Sequence, residues 1–301
     1  MTWHAFILIV LSAGLHASWN LFAKKNRISL TFYALICSVG AICCFNIHFW
    51  TPVPVRELPL KFWCSVLGST WSDIFYCMGL VFCYRKLEMA SAYPVMRALP
   101  IILTAIVATV FGLGRSLTVS AVPGFLIVFA GALMMPLERF RDFKFSTYLN
   151  PSLLFILAVA CGTTGYTVFD SICVGEVGKI APEVPAPLRS LSYNAIRSTL
   201  LTSQLLFLSL VIPSQRKILF GFWKERNFTP FLAGLFACGC YIMVLIAMNY
   251  VTNVAYVQVF RQLGLPIGTL LGVLILKEKG TPVKWTGVTL IVLGLIISVI
   301  K

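Results

Sequence analysis

Apolar residues run through this chain in blocks about as long as a bilayer is thick. Broken at charges, prolines and glycines, the sequence yields ten of them, roughly 3–23, 28–49, 62–84, 91–113, 117–136, 151–174, 190–212, 228–250, 254–276 and 285–300. About 20 apolar residues in a helix cross the hydrocarbon core of a membrane. The pattern therefore predicts an all-α polytopic membrane protein of ten transmembrane helices, multi-pass in a cell (plasma or inner) membrane. The fourth and sixth blocks carry the most polar content.

Composition agrees. The 301 residues are 59% hydrophobic and 11% charged, where soluble domains are about 25% charged. The net charge of +14 is no nucleic-acid footprint, because the basic residues fall singly or in small clusters between apolar blocks. They follow membrane topology instead. The odd-numbered loops carry 15 Lys and Arg, including Lys24, Lys25 and Arg27, and the even loops with the C-terminus carry 6. That bias places the odd loops in the cytoplasm and both termini outside. No Lys or Arg precedes Lys24, so the N-terminus lacks the basic region of a signal peptide and reads as the first helix. Most of the ten cysteines lie within apolar blocks and show no zinc spacing, as expected of small apolar filler.

Ten spans divide into two fives, 1–149 and 150–301. An odd number per half turns the halves into opposite orientations, the inverted-repeat plan of many transporters. Shifted by 150 positions, "HASWN" (His16–Asn20) lies over "YTVFD" (Tyr166–Asp170), setting Trp19 on Phe169 and Asn20 on Asp170. Shifted by 163, Ala92 and Tyr93 meet Ala255 and Tyr256, Gly124 meets Gly287, and Gly131 meets Gly294. The same shift sets Arg115 against Glu278.

The stretches "LHASWNLFAKK", "TTGYTVFDS", "AYPVMRALP" and "VFRQLGLPIGTLLGVLILKEKGTPVKWTGVTLIVLGLI" resemble an EamA-type member of the drug/metabolite transporter superfamily over nearly the whole chain. The resemblance implies ten helices in two inverted five-helix repeats around a central cavity, and carriage of a small metabolite. It also implies cytoplasmic termini, opposite to the charge bias, so the orientation stays open. Arg115 stands where the family's common acidic residue would be.

Ionisable side chains inside a span cost about 2.5–3.5 kcal/mol at the helix centre and face a cavity or a partner. The first span sets His16 and Asn20 on one helix face, bordered by Trp19. These form either a cavity wall or an interhelical polar pair, and Tyr166 and Asp170 match them on the sixth span. The fourth span carries Tyr93, Pro94, Arg97 and Pro100, whose prolines free backbone groups and loosen the helix. Arg97 suits a carboxylate or phosphate, or an ion pair with Asp73 or Asp170. Arg261 repeats the theme on the ninth span. Asp73 and His16 are the candidate proton carriers. Arg197, near the start of the seventh block, is expected to snorkel toward the interface.

These groups predict a secondary transporter working by alternating access. Its substrate-binding set is His16, Trp19, Asn20, Asp73, Tyr93, Arg97, Tyr166, Asp170 and Arg261. Guanidiniums for an anionic group and carboxylates for a cationic one suit an amino acid or other zwitterion. An organic anion, such as a phosphonate or phosphorylated metabolite, is the alternative. No Ser/His/Asp spacing, HExxH, metal cluster or ATP-binding motif occurs, so neither an enzyme nor a cofactor is expected. The expected partners are the small-molecule substrate, the lipid bilayer and coupling protons. Gly264, Gly268 and Gly272 form GxxxGxxxG, a seam inside a monomer or a dimer face.

Overall fold

Several helix starts in this chain have a local cause. Ser29 opens α2 (Leu30–Phe45) by accepting the Phe32 N–H at 3.1 Å. Asn253 opens α11 (Val254–Phe260) by accepting from Ala255 at 2.9 Å. Thr281 opens α13 (Pro282–Val299) by accepting from Lys284 at 3.3 Å. Such side chains satisfy amide groups that a first helical turn leaves bare. Proline occupies the first or second position of α8 (Ala186–Val211), α9 (Pro213–Lys224), α10 (Thr229–Met248) and α13. Its missing N–H costs nothing there. The remaining helices are α1 (Trp3–Ala23), the single turn α3 (Ile47–Trp50), α4 (Leu60–Lys86), α5 (Met89–Val110), α6 (Ala121–Met134), α7 (Leu153–Ile180) and α12 (Gly264–Ile275). The structure is a computed structural model that describes residues 2–23, 28–86, 89–135, 137–142, 153–275, 277 and 280–300. Among these residues no strand forms, so the chain is all-α.

Among the described residues, four helices are long and apolar enough to cross a membrane: Leu60–Cys83 within α4, α7, α10 and α13. A fifth appears if α8 and α9, bent by 107° at Pro213, count as one span. Further apolar helices are shorter: Trp3–His16, Leu30–Phe45, Val95–Val110 and Ala121–Met134. The block at 28–49 stops at Phe45, where Asn46 caps α2 and the chain turns into α3. The block at 254–276 is broken by a 3-10 turn at Arg261–Leu263. Pro266, in the first turn of α12, offers no N–H to Gln262, and its ring would strike that carbonyl in a continuous helix. The fourth block, with Pro100 inside it, remains one helix.

Apolar side chains cover the outside as well as the inside. On α1, Ala5, Ile9 and Ala13 are buried, while Trp3, Ile7 and Leu11 on the opposite face are more than half exposed. Val292 and Ile296 on α13 and Leu232 and Leu235 on α10 are exposed likewise. Water would oppose so much bare apolar surface, whereas acyl chains accept it.

Packing pairs α1 with α10, α4 with α7, α2 with α8, α5 with α11, and α6 with α13. Glycines set the closest approaches. A Cβ on Gly162 of α7 would lie 2.7 Å from both the Ser72 carbonyl and the Tyr76 amide of α4. A Cβ on Gly124 would lie 2.7 Å from the Gly294 carbonyl, and one on Gly131 would lie 2.8 Å from the Gly287 carbonyl. The glycines that match by sequence shift thus face one another across the α6–α13 seam, crosswise. Gly264 is turned inward toward Ala13, whereas a Cβ on Gly268 would meet open space. Gly272 lies outside the described surroundings.

At one end the loops before α6 and α11 are tied together. Arg115 N–H donates to the Thr252 carbonyl at 2.8 Å, and the Asn253 amide donates to the Arg115 carbonyl at 3.0 Å. Gly114 makes this possible with φ of +96°, a conformation that side-chain-bearing residues resist.

Gly124→Val should cost about 1–3 kcal/mol, because the new side chain meets backbone. Gly175→Ala, with nothing within 4 Å of its added methyl, should leave the melting temperature unchanged or slightly raised. Thermal unfolding of the detergent-purified protein reads both. An unchanged melting temperature for Gly124→Val would show that the seam is not closely packed.

Candidate functional site

Three helices each bring an i, i+4 pair to one level of the bundle, so that both members lie on one face. These are Ser69 and Asp73 on α4, Tyr166 and Asp170 on α7, and Tyr193 and Arg197 on α8. Tyr241 joins them from α10. Asp170 is wholly buried and accepts four hydrogen bonds. The donors are the Ser69 hydroxyl, the Tyr193 hydroxyl at 2.5 Å, Arg197 Nε at 3.1 Å and the Tyr241 hydroxyl. Arg197 Nε also donates to Ser69 Oγ at 3.0 Å, and its Nη2 donates to Asp73 Oδ2 at 2.7 Å. The guanidinium carbon lies 4.5 Å from the centre of the Tyr241 ring and 5.9 Å from that of Tyr166. A buried ion pair is tolerated only when hydrogen bonds satisfy the rest of both groups. Asp170 meets that condition fully. Asp73 does so less completely, since among the described residues its second oxygen has only the Cys77 thiol, at 3.9 Å.

One expectation is corrected here. Arg197 does not snorkel. The helix begins at Ala186, four residues before the expected block at 190–212, so Arg197 sits three turns in and is 4% exposed. Asp73 and Asp170 are both paired with Arg197.

A second group of polar side chains is arranged differently. Trp19 Nε1 donates to His16 Nδ1 at 3.1 Å, with the two rings edge-on at 5.3 Å. The Cys240 sulfur is 3.8 Å from the same nitrogen, and Ser12 anchors Cys240 by donating to its carbonyl at 3.0 Å. With Nδ1 accepting, a neutral His16 carries its proton on Nε2. Ala13, one turn before His16 on α1, has its Cβ 3.8 Å from where a Gly264 Cβ would stand. Arg97 reaches across from α5 so that its Nη2 is 3.6 Å from where a Gly264 Cβ would stand. Arg261, in the break between α11 and α12, faces Tyr166. Arg97 Nε and Arg261 Nη1 are buried without a hydrogen-bond partner, and neither arginine has a carboxylate within 4.0 Å, among the described residues. Tyr166 stands between the two groups, its ring 5.8 Å from Tyr76 and 6.1 Å from Tyr241.

His16, Trp19, Arg97 and Arg261 are thus brought together. Asp73 and Asp170 belong to the neutralised layer beside them, and Tyr166 touches both. The side chains of Asn20 and Tyr93 lie outside the described residues, as do Lys24, Lys25, Arg27 and Glu278. Ser69, Tyr193 and Tyr241 are additions that no expectation covered. One signal for the first two was available, since a hydroxyl precedes the charge by four residues in Ser69/Asp73, Tyr166/Asp170 and Tyr193/Arg197. A cavity of about 370 Å³, lined by Leu35, Phe222, Trp223 and Phe231 among others, lies elsewhere, at the junction of α9 and α10.

No family model and no curated protein matches the chain. The chain is similar to a crystal structure whose description names no function, at a TM-score of 0.66 and 17% identity. That likeness covers 99% of this chain and 96% of the other. At this identity it concerns the fold alone, and it takes in both halves of the sequence.

Removing Arg197 strands two carboxylates. Arg197→Met should cost about 3–5 kcal/mol, the range for breaking a buried pair. Arg197→Met combined with Asp170→Asn should cost less than the sum of the two single changes. A double-mutant cycle on thermal unfolding measures this, and strict additivity would show that the pair is not coupled.

Proposed function

We propose that this chain is a secondary transporter that moves a small polar metabolite across a membrane by alternating access. In this reading it is an EamA-type member of the drug/metabolite transporter superfamily. Its ten spans form two inverted five-helix halves around a central cavity, in a cell (plasma or inner) membrane. The observation that carries the reading is the placement of the charged groups. Six ionisable side chains sit inside an apolar bundle, on helices contributed by both halves. Membrane proteins keep such groups where a solute or proton passes.

The helix pairing supports the inverted arrangement. Exchange the two halves, and α1–α10 becomes α7–α4, while α2–α8, α5–α11 and α6–α13 each map onto themselves. The Gly124–Gly294 contact likewise becomes Gly287–Gly131. A twofold relation of this kind suits a machine with two end states in which the halves exchange roles. In such a machine Arg97, Arg261, His16 and Trp19 bind the solute from helices α1, α5 and the α11–α12 break. The Asp170–Arg197–Asp73 network beside them holds α4, α7, α8 and α10 in register. Coupling to protons falls to Asp73, the less fully bonded carboxylate.

Reconstituted into liposomes, the protein should show saturable uptake of a small polar solute. Preloading the liposomes with unlabelled solute should accelerate entry of the label. Uptake that saturates without counterflow would indicate a channel. Lipid or ion movement with no solute uptake would overturn the proposal.

A further inference from the structure

We infer that Arg97, Arg261 and His16 form a binding site for an anionic group, which makes the cargo a small organic anion with a carboxylate or phosphate-type oxygen cluster. The binding site rests on the unpartnered buried donors and on the meeting of α1, α5 and the α11–α12 break around Gly264, while calling its ligand a cargo rests on the transport proposal above.

The case begins with charge balance. A guanidinium is always protonated and offers five N–H donors. Inside an apolar bundle each needs a partner, because an unmatched buried donor is costly. Arg197 shows how this chain settles such a group, with two carboxylates and a serine. Arg97 and Arg261 are not settled. Each keeps a buried nitrogen with no acceptor. The described carboxylates within the bundle are taken, Asp73 and Asp170 by Arg197, and Glu176 by Lys61 and Lys179. Glu88 and Glu278 lie outside the described residues.

The neighbouring groups are also donors. His16 has its Nδ1 engaged by Trp19, which leaves its Nε2–H as a third donor. Arg97 lies against Gly264, the first residue of α12. The start of a helix carries partial positive charge, and a discontinuous helix in a transporter directs it at anionic groups. Gln258 and Gln262 bring buried amide oxygens without partners. These neutral acceptors suit a hydroxyl on the ligand and cannot offset two guanidiniums beside an ammonium. A zwitterion would therefore place its cationic end among like charges, with both nearby carboxylates committed elsewhere. An anion completes the site.

The test is direct binding to the purified full-length protein in low-chloride detergent buffer, read by thermal shift and by titration with radiolabel. The probes are glycerol 3-phosphate, succinate and inorganic phosphate as anions, glycine betaine as a zwitterion, and choline as a cation. At least one anion should raise the melting temperature, and betaine and choline should not. Arg97→Gln and Arg261→Gln should each weaken the binding anion at least about tenfold. Arg97→Lys and Arg261→Lys should retain part of the affinity, which separates lost charge from a misfolded protein. Size-exclusion profiles and unliganded melting temperatures control for folding. Stabilisation by betaine or choline equal to that by anions would overturn the inference. So would anion binding unaffected in a well-folded double Arg→Gln variant, or no response to any anion. Flux in proteoliposomes keeps the two proposals apart. Arginine-dependent anion binding without flux would leave the site standing and sink the transporter, while saturable flux of uncharged or cationic solutes alone would do the reverse.

Discussion

A carboxylate with no water around it must receive all its hydrogen bonds from the chain, and Asp170 sets that demand for this fold. Its four donors come from α4, α8 and α10, so the charge can be buried only if all three helices reach α7 at one height. Shift any of them by a turn, about 5 Å, and a donor is lost. The network therefore selects one vertical register among helices whose apolar faces would tolerate several. Oily surfaces supply adhesion but little positional information, and the polar centre supplies what they lack.

Around that centre, approach distance is governed by what is missing from the backbone. Gly162 lets α7 lie on α4, and Gly124, Gly131, Gly287 and Gly294 let α6 and α13 touch backbone to backbone. In lipid, where burying apolar side chains brings little gain over leaving them in acyl chains, such close contact is a main source of helix association. Two devices thus divide the work. The polar network fixes register around α7, and the glycine seam joins α6 to α13.

The sequence exposed these features unevenly. Blocks of apolar residues marked nearly every helix, because length and hydrophobicity are local properties. Where the blocks misled, a backbone detail intervened: Asn46 ended α2 early, and Pro266 with Gly264 broke the ninth block at Arg261. His16, Asp73, Arg97, Asp170 and Arg261 could be singled out because a charge in an apolar block is visible by itself. Their partners could not. Arg197 and Asp73 are 124 residues apart, and nothing along the chain indicates that Arg197 rather than Arg97 neutralises Asp73. The misplaced start of α8 hid Arg197 in particular, since a residue counted near a helix end is given to the interface. The paired glycines were legible as an internal match, but their facing one another is a property of the folded chain.

The tie between Arg115, Thr252 and Asn253 has a mechanical meaning. Thr118 and Tyr256, whose hydroxyls lie 3.2 Å apart, extend it into α11. These bonds join loops from opposite halves at a single end of the bundle, so they stretch together or not at all. Pulling α5 away from α11 there means breaking them as a set. Opening at the stitched end is therefore an all-or-none event.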